Sequence, residues 1–325
     1  MKKKKVLILG VTGQDGSFMA KLLLDKKYSV YGFIRKSATG NTKNISDLIK
    51  NKNFIKCHGD LLDINSLTNV IKKIKPDEIY NFADQDHVRW SFEIPSYSFS
   101  VTGTSVINIL EIIKNYSSKS KYFQPLSSNM FGDSKNKKQD ENEPMSPLSI
   151  YALGKVTAHF ACELYKKIYG LKIYSAIFYN HESEIRPEEY VTRKITKSVA
   201  RIFFGKQKNL YLGNINAKID WGYAPDYVDA AHKIMQLKKP DIFIIATGKK
   251  YSIKDFAEKC FKYVGLNYKN YIKIDKKLIR PSKTVSLVGN TKKAQKFIKF
   301  KVKTDLDKLV SIMMEKDLSV ERNNI

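Results

Sequence analysis

The chain has 325 residues and carries 58 Lys and Arg against 32 Asp and Glu, a formal charge of +26. That length supports a large core, so one big α/β domain with a smaller partner fits better than many small ones. No stretch reaches the ~20 apolar residues of a membrane span, and the lysines run along the whole chain with no recognition helix or RNA-binding motif, which argues against a nucleic-acid reader and leaves a field suited to small anionic substrates.

Residues 1–5 are basic and precede Val6-Leu7-Ile8-Leu9, which imitates a signal peptide until Thr12, Gln14 and Asp15 cut the apolar run short. The segment 5–10 therefore reads as a first strand. Gly10-Val11-Thr12-Gly13-Gln14-Asp15-Gly16 follows it directly and opens a helix over 14–26, the context in which a glycine fingerprint seats a pyrophosphate on a helix N-terminus. The second strand, 28–34, ends in Arg35, Lys36 and Ser37, where an acidic residue would hold the ribose hydroxyl of NAD. Two cations and a hydroxyl suit a 2′-phosphate instead, so NADP is expected, with NAD the alternative. A third strand over 54–57, a helix over 64–75 and a fourth strand over 78–82 come next. Val101, Ser105, Ile109 and Ile112 then recur at helical spacing within 97–116.

The apolar run 122–126 ends as a strand at Ser127, the loop 133–147 flanks it, and a helix over 149–169 carries Tyr151 and Lys155 in its first turns. A further strand spans 173–179. Strands alternating with helices predict an α/β fold, a Rossmann-type doubly wound parallel sheet with a smaller mixed α/β C-terminal substrate lobe. Beyond Asn180 the rhythm changes: a basic amphipathic helix over 191–204, a short strand at 210–212 and a helix over 226–237, while the remainder, including 252–264 and the tail from Leu306, reads as a small mixed lobe. The expected division is a dinucleotide-binding domain at 1–180, rejoined by 214–238, and a substrate lobe formed by 181–213 and 239–325.

A Tyr and a Lys four residues apart share one helix face, so the Lys155 ammonium is expected to favour the Tyr151 phenolate and bring it within range of general base work near neutral pH. Ser127 would hold a substrate hydroxyl against it. Together with the glycine turn this is equipment for moving a hydride. Cys57, Cys162 and Cys260 form no CxxC pair, which predicts reduced thiols in a cytoplasmic protein, and the histidines lack ligand spacing, so no metal is expected.

These residues resemble the extended short-chain dehydrogenase/reductase superfamily and, within it, the GDP-mannose 4,6-dehydratase family. The likeness runs nearly end to end: GVTGQDGS at 10–17, Arg35-Lys36-Ser37, Gly59-Asp60-Leu61, Tyr151 to Lys155, Asn180-His181-Glu182-Ser183, Val191-Thr192-Arg193-Lys194-Ile195, Asp220-Trp221-Gly222 and Arg280-Pro281. What the resemblance implies is an enzyme that uses NADP to oxidise C4 of a nucleotide-linked hexose, eliminates water across C5 and C6, and returns the hydride to C6. It implies a cofactor site of Gly10, Thr12, Gly13, Gln14, Asp15, Gly16, Arg35, Lys36, Ser37, Asp60, Leu61 and Ala83 with Tyr151 and Lys155, Asp60 and Leu61 lying near the adenine. It implies a GDP-linked sugar held by Ser127, Asn180, Val191, Lys194, Lys218 and Arg280, and a homodimer or homotetramer joined through the loop 35–45.

The chain also departs from that pattern. Where the family has Thr-Ser-Glu, this chain has Ser127-Ser128-Asn129. Ser127 can replace the threonine hydroxyl, but the neutral amide of Asn129 takes no proton from C5 and gives none to the leaving hydroxyl. The family arginine before Asp-Trp-Gly is Ile219, preceded by Lys218, and the family glutamate after Arg-Pro is Lys283. Ketone formation is expected to survive and dehydration to suffer. C4 epimerisation or simple C4 oxidoreduction are the alternatives, followed by a non-catalytic NADP-binding protein. Asp84 and Asp86 are extra carboxylates near the nicotinamide end with no assigned role.

Overall fold

In a computed structural model, which describes residues 3–278 and 286–323, short apolar runs form strands and the amphipathic segments between them fold back as helices. In chain order these are β1 (Lys5–Leu9), α1 (Gln14–Asp25), β2 (Ser29–Ile34), β3 (Phe54–His58), α2 (Ile64–Ile74), β4 (Glu78–Asn81), α3 (Trp90–Glu93), α4 (Pro95–Phe99), α5 (Ser105–Tyr116), β5 (Lys121–Ser127), α6 (Ile150–Tyr169) and β6 (Lys172–Phe178). The remainder comprises β7 (Asn180–Glu182), α7 (Val191–Phe203), β8 (Leu210–Leu212), β9 (Lys218–Ile219), β10 (Trp221–Tyr223), α8 (Ala224–Met235), β11 (Ile242–Ile245), β12 (Tyr251–Ser252), α9 (Ile253–Tyr263), β13 (Ile272–Ile274), α10 (Lys292–Ile298) and α11 (Leu306–Arg322).

Seven of these strands make one parallel sheet in the order β11-β6-β5-β4-β1-β2-β3. Strand alternation distributes its side chains to two cores. Leu7 and Leu9 pack with Ile71 of α2, Ile109 of α5 and Cys162 of α6, whereas Val6 and Ile8 pack with Leu23 of α1, Ile234 of α8 and Ile298 of α10. The chain leaves β1 toward β2 on one side while β4 lies on the other, so a crevice opens at the carboxyl ends of β1 and β4, where such sheets bind ligands.

The structure departs from the sequence reading at two places that matter for the site. The stretch 97–116 is not one regular helix: a π turn, Ser100–Thr104, lies between α4 and α5. It accommodates close packing on α6, since a Cβ on Gly154 would come within 2.9 Å of the Thr102 side chain. The second departure is β11, which pairs with β6 as the seventh strand although it lies in the stretch assigned to the substrate lobe. Four residues are too short to show a period, and the burial of one face, Phe243 and Ile245, comes from α10, far along the chain. Other helix ends differ by a residue or two, which is ordinary fraying.

A third core unites Ile195 and Val199 of α7, Phe256 and Phe261 of α9 and Met313 and Met314 of α11. Its one buried ion pair joins α7 to α11: Arg193 Nη2 lies 2.7 Å from Asp317 Oδ1, and Thr196 donates to Asp317 Oδ2 at 2.7 Å. Burial pushes the Asp317 carboxyl up, against the pull of Arg193 and Thr196. Cys57, Cys162 and Cys260 are unpaired thiols. Among the described residues no helix is long and apolar enough to cross a membrane, and no three His, Cys, Asp or Glu are grouped to hold a metal ion.

Candidate active site

The glycine turn follows from the demands of its backbone. Gly10 has φ +76°, and a Cβ there would lie 2.5 Å from the amide nitrogen of Ala83, so only glycine lets β1 and β4 end side by side. Gly16 lets the first turn of α1 sit directly on the Gly10 carbonyl. The amides at the start of α1 thereby face the crevice, an anion-binding arrangement.

A cleft of about 390 Å³ runs from this turn past the ends of β4, β5 and β6 to the segment before α7, and it is lined by Gly13, Gln14, Asp15, Ser127, Asn129, Tyr151, Lys155, Asn180 and Val191 among others. Thus the residues expected at the hydride step share one wall with those expected at the start of the dinucleotide. Register explains the placement of Arg35: Leu9 pairs with Phe33, so Arg35 emerges beside the glycine turn. Its guanidinium donates to the Tyr97 hydroxyl at 3.1 Å, and Arg35 and Lys36 are exposed. Asn44 donates to the Thr12 carbonyl at 3.0 Å and Asn41 to the Arg35 carbonyl at 2.9 Å, so the 35–45 loop folds against the turn. Leu61 is buried in the sheet core, while the Asp60 carboxylate accepts from the Leu62 amide at 2.9 Å. Lys194 projects from α7 half-buried, and burial lowers its pKa against the pull of Asp275 and Glu188.

Lys218 does not line the cleft; alternation in β9 turns Lys218 outward and sends Ile219 to the cleft wall. Arg280 and Lys283 lie outside the described residues.

The acid–base geometry differs from the expectation of a ready phenolate. Tyr151 and Lys155 do share a face of α6, with Lys155 Nζ 5.7 Å from the Tyr151 ring centre. Burial nevertheless pushes the phenol up to about 12; Lys155 and the Ser127 hydrogen bond pull it down, and the Asp84 and Asp86 carboxylates oppose them. The Lys155 charge is itself paired: Nζ lies 2.6 Å from Asp84 Oδ2 and donates to the Pro125 carbonyl at 2.9 Å. Asn129 stands in a short turn, Ser128–Phe131, whose geometry Ser127 fixes by accepting from the Asn129 amide at 3.2 Å. Its side chain lines the cleft where the family pattern has a carboxylate.

Several residues near the centre of the site carried no assignment from sequence. His181 Nε2 meets Asp15 Oδ2 at 2.8 Å, its Nδ1 meets the Tyr179 carbonyl at 2.8 Å, and its ring stacks on Tyr227. Gln14 donates to the His181 carbonyl at 3.2 Å and accepts from Ser183 at 2.7 Å, so the cofactor turn and the segment after β6 are tied together. Arg186 lies 3.2 Å from Asp86, over the Tyr190 ring, and the Tyr190 hydroxyl donates to Asp86 at 2.6 Å. The NHES tetrad pointed toward His181; nothing in the local sequence singled out Arg186 or Tyr190.

For Asp15, burial raises the carboxyl and the His181 pair more than reverses it; for His181, burial lowers the imidazole and Asp15 more than reverses it. The sign of the pH dependence follows. The raised His181 contributes stability that is whole below the ordinary value of 6.5 and is lost as pH climbs through its folded value, and the depressed Asp15 contributes stability that is lost as pH falls below 3.8. Chemical unfolding of wild type should therefore lose stability above neutral pH more steeply than a His181→Phe variant; parallel pH curves would refute a charged pair.

The family model described as GDP-mannose 4,6 dehydratase matches residues 7–313. The chain is 42% identical over 330 residues to GDP-mannose 4,6 dehydratase 1 of Arabidopsis thaliana, covering 98% of this chain and 91% of that one. Among solved structures it is similar to dTDP-glucose 4,6-dehydratase of Bacillus anthracis in complex with NAD, at TM-score 0.84 and 20% identity, covering 99% of this chain and 97% of that one. It is also similar to RMD of Pseudomonas aeruginosa complexed with NADPH, at TM-score 0.82 and 16% identity, covering 98% and 100%.

Proposed function

The chain belongs to the GDP-mannose 4,6-dehydratase family, and on that premise we propose that it is an NADP-dependent enzyme oxidising C4 of a GDP-linked, manno-type hexose. The observation that carries this reading is the single cleft that unites the glycine turn, Ser127, Tyr151 and Lys155. A nicotinamide dinucleotide suits the residues present. The open approach at Gly10, the amides of α1 and the cations Arg35 and Lys36 beside them would hold its phosphates, and Tyr151 and Lys155 would flank its reactive end. When bound, that group supplies the hydride acceptor.

The chain's own residues do the rest. Ser127 and Tyr151 hold the sugar hydroxyl, Tyr151 takes its proton, and Lys155 anchors the phenol's surroundings from α6. Asn180 and Val191 line the cleft on the sugar-nucleotide side, and Lys194, half-buried on α7 outside the cleft lining, would offer its ammonium to the diphosphate. Asn129 favours a second reading for the net reaction, in which the 4-keto sugar is epimerised or reduced without loss of water. Incubation with GDP-mannose and weighing of the product separates the two, because dehydration removes the mass of one water and epimerisation removes none. A protein that binds NADP but leaves GDP-mannose and other GDP-hexoses untouched would overturn the reading. Titration with NADP and NAD tests the cofactor: tighter binding of NADP, lost in Arg35→Ala, is expected.

The surface supports a homo-oligomer. Leu153, Phe160, Leu164 and Ile168 of α6 and Ile107 of α5 are large apolar side chains at least 37% exposed on neighbouring helices, a stripe that a second copy of the same pair would cover. A Phe160→Asp/Leu164→Asp variant should elute as a monomer while wild type elutes as a dimer or larger; a monomeric wild type would end this assignment. The unpaired thiols are consistent with a cytoplasmic location.

A further inference from the structure

Asp84 follows β4 by three residues and points its carboxylate across the cleft floor to α6. Oδ2 lies 2.6 Å from Lys155 Nζ, and Oδ1 accepts from the Thr102 hydroxyl at 2.6 Å and from the Gln85 amide at 2.8 Å. Its side chain is 13% exposed and that of Lys155 6%. Thr102 reaches it because the π turn between α4 and α5 presents that buried hydroxyl to Asp84, and Gly154 lets the turn settle against α6 one residue from Lys155. The carboxylate is thus held by donors from three elements, closer to the ammonium than the Tyr151 ring, 5.7 Å away.

We propose that Asp84 is a positioning residue that neutralises Lys155, so that Tyr151 becomes a base only when a second positive charge lies against it. The inference rests on the dinucleotide reading of the cleft, because the oxidised nicotinamide is the cation that such a site admits. Lys155 alone, spaced on its helix to ionise the phenol, is paired at contact distance, and at low dielectric a contact pair cancels most of the field of either partner. The charged and titratable groups around Tyr151 are Lys155 on its own helix, Asp84 and Asp86 from the segment after β4, and Tyr190 from the segment before α7, with Ser127 as the neutral partner from β5. The Lys155 charge also acts, weakly, on the Cys162 thiol further along α6. Both carboxylates act in the same direction, and Asp84 is the nearer to Lys155. The device ties deprotonation of the phenol to the oxidised state of the cofactor and keeps it protonated otherwise.

The test needs no sugar nucleotide. Phenolate absorbance of the cofactor-free protein is titrated in Asp84→Asn, with Tyr151→Phe and Asp84→Asn/Tyr151→Phe subtracted to isolate Tyr151. Asparagine keeps an oxygen for Thr102 and the Gln85 amide, so the fold is retained, and Tyr151 should titrate at least about one pH unit lower than in wild type, a tenfold change. Thr102→Val, which loosens the carboxylate without removing its charge, should titrate as wild type does. An unchanged titration in folded Asp84→Asn, or an equal shift in Thr102→Val, overturns the proposal. A second measurement uses wild type alone: calorimetry in buffers of different ionisation enthalpy should show more proton release on binding NADP⁺ than NADPH, and equal release refutes the coupling. Failure to bind either dinucleotide would strike the function reading, whereas the Asp84→Asn titration would still judge this one.

Discussion

Tyr151→Phe is expected to lower the rate of C4 oxidation by about 10² to 10⁴, the usual contribution of one positioned proton acceptor. The ring is buried against α6 and its surroundings at 7% exposure, so phenylalanine fills the same space and cofactor affinity should stay close to wild type. The loss belongs to the phenol oxygen alone. Following reduced nicotinamide in the near ultraviolet with GDP-mannose as substrate measures it. The high position of the phenol, pushed up to about 12 by burial, adds a second expectation: the oxidised cofactor lowers it only part of the way, so in wild type the oxidation step should still quicken as pH rises through the neutral range. A Tyr151→Phe protein with undiminished turnover would show that the proton leaves by another route.

Asn129→Glu is expected to raise elimination of water by about 10² to 10⁴, the mirror image of losing one acid–base group. Asn129 stands at the cleft wall in a turn set by Ser127, so a carboxylate on this backbone enters the same space. It would take the C5 proton and pass one to the departing C6 hydroxyl. Product mass reports the change directly, since the fraction lighter by one water should grow while the rate of C4 oxidation changes little. An unaltered ratio of dehydrated to intact product would mean that another group already does this work.

The sheet and the chemistry were legible in the sequence for the same reason: both rest on local patterns. Glycines after an apolar run, a Tyr and a Lys four apart and strands alternating with helices each report on a few neighbouring residues. What stayed hidden depends on distant partners. β11 is an apolar run of four residues beside β6, covered on one face by α10, some fifty residues on, and on the other by a separate core. Asp84 was visible as an additional carboxylate, but its pair with Lys155 joins two distant elements, and the Thr102 hydroxyl beside it comes from a turn that a regular helix over 97–116 would have aimed elsewhere. The ready phenolate was a misreading of the same kind. Helix spacing brings Lys155 to Tyr151, yet what the ammonium does is set by Asp84 from a different strand end. Lys218 and Ile219 show the limit at the smallest scale, because a two-residue strand gives no alternation from which to tell inward from outward.

The five-residue coil Ser100–Thr104 also sets the phase between the two ends of its helix, because it takes up one residue more than an α turn. Winding all five into ordinary α geometry would swing the segment upstream by about 100° relative to α5. Tyr97 would be carried around the rod with it, and its hydroxyl would lose Arg35. Loss of one residue inside the coil is thus compatible with the phase of the rod, whereas loss of one elsewhere along it is not.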